Sequence, residues 1–84
     1  VAFKIHFNDD IVPPDAVRAV LDEIEKLVQG GCNPLSLIYY DMGETTGGTF
    51  NYILSSGRDA DGIDTMFVER YDPETDTIVE YPNK

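Results

Sequence analysis

Residues 13–31 read Pro13-Pro14-Asp15-Ala16-Val17-Arg18-Ala19-Val20-Leu21-Asp22-Glu23-Ile24-Glu25-Lys26-Leu27-Val28-Gln29-Gly30-Gly31. Val17, Val20, Leu21, Ile24, Leu27 and Val28 recur at helical spacing, with charged and polar residues on the rest of the wheel. Proline suits the first helical turn, Asp15 complements the positive end of the helix dipole, and the double glycine supplies a C-terminal stop. The spacing predicts one amphipathic helix over residues 14–29. Its Asp22–Lys26 pair, four apart in the favourable order, adds about 0.2–0.5 kcal/mol.

On either side of this helix the pattern changes from 3.6 to 2. Ala2-Phe3-Lys4-Ile5-His6-Phe7 alternates strictly, which predicts a half-buried strand with Phe3, Ile5 and Phe7 inward. After Asn33-Pro34, Leu35 to Tyr40 reads as a second strand, Gly43 to Gly48 as a hairpin loop and Thr49 to Ser55 as its partner. Gly57 to Gly62 reads as another turn, Ile63 to Tyr71 as a fourth strand, and Thr77 to Tyr81 as a last one. The expected fold class is α+β: a single helix on one face of a four- to five-stranded, mainly antiparallel sheet, in the order β-α-β-β-β-β. Four consecutive strands joined by short loops imply an antiparallel meander. One domain spans residues 1–84.

This element order is similar to the cystatin and monellin architecture, in which a sheet wraps around one helix; the likeness is one of topology alone. The cystatins inhibit through a Gln-x-Val-x-Gly hairpin and a Pro-Trp hairpin. This chain has no Trp, and its first hairpin reads Gly43-Glu44-Thr45-Thr46-Gly47-Gly48.

The chain has 84 residues with sixteen acids against six Lys and Arg, a net charge of −10. That charge opposes binding to nucleic acid or to an anionic membrane, because both need a basic footprint. Cys32 is the only cysteine, so neither an internal disulfide nor a cysteine zinc cage can form. With no apolar run of membrane length, the expected location is cytoplasmic.

Groups for chemistry are sparse, and no enzymatic activity and no cofactor are expected. His6 is the only histidine and sits on the polar face of its strand. A Cys32–His6 pair for acyl transfer has no support beyond its two residue types. Asp59-Ala60-Asp61-Gly62 resembles the middle of a calcium loop, but alignment on Gly62 leaves Gly57 and Val68 where charged ligands are required. The expected structure there is an Asp-Gly turn, with a weak cation site of Asp59, Asp61 and Asp64 as the alternative. No phosphate-binding glycine motif occurs.

The charge is unevenly spread: residues 1–40 carry a net −3 and residues 41–84 a net −7. Sixteen acids on a small surface repel one another, which suggests a solubility coat, adaptation to a salty cytoplasm, or a surface made for a basic partner. One helix covers one sheet face, yet the strands carry aromatics on both, which points to an interface. The expected function is therefore a small acidic protein that occludes a basic surface of a nuclease or other nucleic-acid-binding enzyme, as an inhibitor, an immunity protein or a nucleic-acid mimic. Asp59, Asp61, Asp64, Glu69, Asp72, Glu74 and Asp76 are the candidate charges, and Tyr39, Tyr40, Phe67 and Tyr71 the candidate anchors. Two alternatives remain: a protease inhibitor using the loops 43–48 or 57–62 as a wedge, and a structural domain dimerising through the outer sheet face.

Overall fold

The computed structural model describes residues 3–72 together with Thr77 and Ile78. Strand β1 (Lys4–Phe7) leads to helix α1 (Pro14–Gln29), followed by β2 (Tyr40–Asp41), a four-residue helix α2 (Met42–Thr45), β3 (Tyr52–Arg58), β4 (Asp64–Asp72) and β5 (Thr77–Ile78). Helix α1 has the limits that its sequence predicts. The Asp15 carboxylate accepts from the Ala16 amide at its first turn, and the Cys32 amide closes its last turn on the Leu27 carbonyl. Gly31, at φ +88°, supplies the left-handed residue that this closure requires.

The sheet is mixed. Its order is β1-β4-β3-β2, with β5 paired to the end of β4. β2, β3 and β4 form the expected antiparallel series, whereas β1 runs parallel to β4, with Ile5 opposite Met66 and Phe7 opposite Val68. The antiparallel meander expected of the consecutive strands holds for β2, β3 and β4, with β5 antiparallel to β4, and the sheet is mixed only because β1 is parallel to β4. Because β2 is antiparallel to β3 and β3 to β4, β2 also runs parallel to β1. The unit β1-α1-β2 is a parallel crossover with the β3–β4 hairpin inserted between its strands. Among the described residues, β1 is an edge strand.

The reading of residues 35–48 is also corrected. Pro34–Ser36 forms a short 3-10 turn in which the Asn33 side chain accepts from the Leu35 amide at 3.0 Å. Extended pairing is thereby confined to Tyr40 and Asp41. The expected hairpin loop 43–48 is replaced by α2, because the Asp41 carboxylate accepts from the Gly43 amide at 2.8 Å and caps a helical turn. The partner strand starts at Tyr52 rather than Thr49 and runs through Gly57 to Arg58. Of the last strand, only Thr77 and Ile78 lie within the described residues.

The core forms between α1 and one face of the sheet: Ala16, Val20 and Ile24 from the helix meet Met42, Tyr52, Leu54, Met66 and Val68. Burial of each larger side chain contributes about 1.5–3 kcal/mol. The buried arc of α1 is rotated from the apolar stripe of the sequence. Ala16 and Glu23 lie inside it, while Leu21 and Val28 remain 47% and 51% exposed. Glu23 is 7% exposed, which burial permits because Tyr40 donates its hydroxyl to one carboxylate oxygen and Lys26 approaches the other at 3.4 Å.

Candidate functional site

Side chains alternate along each strand, and register therefore defines which residues lie on the sheet face opposite α1. One row across the sheet is Asp41, Ile53 and Glu69, from β2, β3 and β4. The next is Ser55, Phe67 and His6, and the one beyond it Gly57, Thr65 and Lys4. Tyr71 stands on the same face, two positions past Glu69. Lys4, paired with Asp59, and His6 stand toward the β3–β4 turn, and Asp41 and Glu69 toward the other end.

Phe67 is half-buried and is fixed by two neighbours. Its ring meets the His6 ring edge-on, with centroids 5.8 Å apart and an interplanar angle of 73°. It also covers Gly57, where an added Cβ would stand 3.1 Å from the ring. Gly57 thus provides the flat bed on which Phe67 lies. Beside this pair, His6, Arg58, Asp59, Ala60 and Phe67 line an open groove of about 350 Å³.

The β3–β4 turn is organised by Asp59. Its Oδ1 accepts from the Asp61 and Ile63 amides, both at 2.9 Å, and its Oδ2 meets Lys4 Nζ at 3.0 Å. The Asp59 and Ile63 backbones close the hairpin, with Gly62 at φ +78° taking the left-handed position. Hydrogen bonds from the Ile63 amide, then from Lys4 and the Asp61 amide, hold the Asp59 carboxyl below its ordinary value. Asp59 is therefore a turn-forming residue with little acceptor capacity left. Asp61 is exposed at the tip, and Asp64 pairs with Arg58 at 3.3 Å. No three His, Cys, Asp or Glu side chains among the described residues are grouped to hold a metal ion.

The remaining candidates separate. Glu69 accepts from Asn8 Nδ2 at 3.1 Å on the outer face. Asp72 is half-buried at the end of β4, with parity opposite to Tyr71. Tyr39 is 57% exposed, outside the strands. Tyr40 faces α1, and burial followed by its bond to Glu23 raises its hydroxyl pKa to about 12, so it is no outward anchor. Glu74 and Asp76 lie outside the described residues. The fold thus gathers Phe67, Glu69 and Tyr71 on one face, with Asp61 and Asp64 at the hairpin end. Cys32 and His6 are not drawn into any shared cluster.

Asp41 and Ile53, which the sequence reading did not single out, belong to this face. Ile53 is only 3% exposed and stands in register between the two acids. Alternation along Tyr52-Ile53-Leu54-Ser55 gives its direction, once the strand is known to start at Tyr52.

The basic side chains are largely engaged with the chain's own acids. Lys4, Lys26, Arg58 and Arg70 each form an ion pair, with Asp59, Glu23, Asp64 and Asp9 respectively. Asp10, Asp22, Glu44 and Asp61 are exposed acids that form no ion pair among the described residues. Among the described residues, no helix is long and apolar enough to cross a membrane. Comparison with protein-family models, curated proteins and solved structures finds no match.

Proposed function

We propose that this chain is a non-enzymatic acidic binding protein that occludes a basic surface of another macromolecule through the outer face of its sheet. The observation that carries the reading is the asymmetry of ion pairing. Four of the basic side chains are neutralised internally, whereas Asp10, Asp22, Glu44 and Asp61 stay exposed with no ion pair among the described residues of this net −10 chain. Such a surface steers cationic partners and raises association rates by roughly 10–1000-fold at low salt. Phe67 and Tyr71, held on a rigid sheet beside Glu69, supply the apolar contact that converts attraction into a seated complex. A nuclease or other nucleic-acid-binding enzyme, with a Lys- and Arg-rich groove shaped for phosphate, is the matching partner class.

The test is titration of the chain into a cationic ribonuclease, followed by calorimetry, at low ionic strength and at about 0.5 M salt, where the screening length falls to roughly 4 Å. Association that weakens with salt, with loss of ribonuclease activity, supports the reading. Absence of association at both salt concentrations contradicts it for this partner class.

A further inference from the structure

Helix α1 carries more apolar surface than its own sheet covers. Glu23 leans toward Tyr40 on β2, the far edge of the sheet. At about 100° per residue, Val17, Leu21 and Val28 stand roughly 120–160° around the helix from Glu23, on the side of β1. They form one flank at i, i+4 and i+11, with Val17 half-buried and Leu21 and Val28 exposed.

Beneath that flank lies the outward edge of β1, which no strand covers among the described residues. The Asn8 amide donates to the Val68 carbonyl, and in a parallel pair alternate residues turn to the same neighbour. Lys4 and His6 therefore share this direction toward β4, while Ile5 and Phe7 turn their backbone groups outward. The apolar helix flank and the open strand edge are stacked on one side of the molecule.

We infer that this side is a two-fold interface with a second copy of the same chain. A symmetric interface must be self-complementary. The border of the flank meets that condition: Arg18, which forms no ion pair among the described residues, and Glu25 lie seven residues apart on adjoining positions of the wheel. Two α1 helices packed antiparallel with Arg18 of each copy toward Glu25 of the other place the two-fold beside Leu21, so that the two Leu21 side chains meet at the centre of the seam and each Val28 packs against the first turn of the other helix. The two-fold places the β1 edges side by side below the helices, extending the sheet through Ile5 and Phe7. Lys4, the edge residue that would oppose such pairing, is already neutralised by Asp59 at 3.0 Å. A foreign strand would cover the β1 edge but leave the helix flank in water; a second copy covers both. The outer sheet face stays free in this dimer, so the inference stands apart from the proposed binding function.

Sedimentation equilibrium of the full chain from micromolar to millimolar concentration tests it. A monomer–dimer equilibrium is expected, weakened by tenfold or more in Leu21→Glu and in Val28→Glu, each with unchanged far-UV circular dichroism. Arg18→Glu and Glu25→Arg each weaken the dimer, and the double exchange restores it. Both sites are exposed helix positions, so these variants fold. A monomer throughout the range, or a dimer indifferent to Leu21→Glu and to the charge exchange, overturns the inference.

Discussion

The hydroxyl of Tyr40 on β2 donates to the carboxylate of Glu23 on α1, joining the helix to the edge of the sheet through a buried polar contact. The remaining carboxylate oxygen is left to Lys26, whose side chain is largely in solvent. Tyr40→Phe deprives a buried carboxylate of its inward donor, at a cost of about 1–3 kcal/mol. Urea unfolding should show that loss, with Glu23→Gln less harmful than Glu23→Ala because the amide still accepts from Tyr40.

The same contact gives an alkaline limit. Tyr40 ionises at about 12 in the folded chain and at 10.0 as an ordinary tyrosine, so the fold favours its neutral form. The associated stability is complete below pH 10.0 and declines as pH rises toward about 12. Unfolding free energies across this range should fall in the wild type, and fall less steeply in Tyr40→Phe.

Asp59→Ala removes the acceptor for two turn amides and the partner of Lys4. A lower unfolding midpoint is expected, with Asp59→Asn retaining most of the stability because its side-chain oxygen still accepts from the turn amides. Because Asp59 titrates below its ordinary value of 3.8, its contribution is present above that pH and is lost as pH falls through the lower folded value. Thermal unfolding of the wild type and Asp59→Asn near pH 3 and at neutrality should show the difference narrowing in acid.

Gly57→Ala places a methyl group 3.1 Å from the Phe67 ring. The ring must tilt, and its edge contact with His6 changes with it. Proton NMR should report a shift of the His6 ring resonances with little change in far-UV circular dichroism; unchanged His6 resonances would mean that Gly57 does not seat Phe67.

What the sequence displays are the features encoded by near neighbours. Pro14 and Gly30-Gly31 delimit α1, and Asp59 with Gly62 marks the β3–β4 hairpin, because each acts within its own turn. The run Leu35 to Tyr40 misleads for the same local reason. Its apolar residues favour a strand, but Pro34 and the Asn33 side chain set a 3-10 turn first. The parallel pairing of β1 with β4 joins residues about sixty apart, and no local period records it. Glu23 is a similar case: Ala16, Val20, Glu23 and Leu27 recur at helical spacing, but an acid in that series reads as surface until Tyr40 comes into view. On the candidate site, alternation placed Phe67, Glu69 and Tyr71 together on one face. It could not show that Asp59 is held in its own turn or that Tyr40 faces the helix.

The proposed binding face is tested most directly by mapping amide chemical shifts of the labelled chain during titration with a cationic ribonuclease at low salt. The account predicts changes centred on Phe67, Glu69 and Tyr71 and extending to Asp61, with the interior positions Val20 and Ile24 unmoved. Changes confined to α1, with the outer sheet face silent, would contradict it.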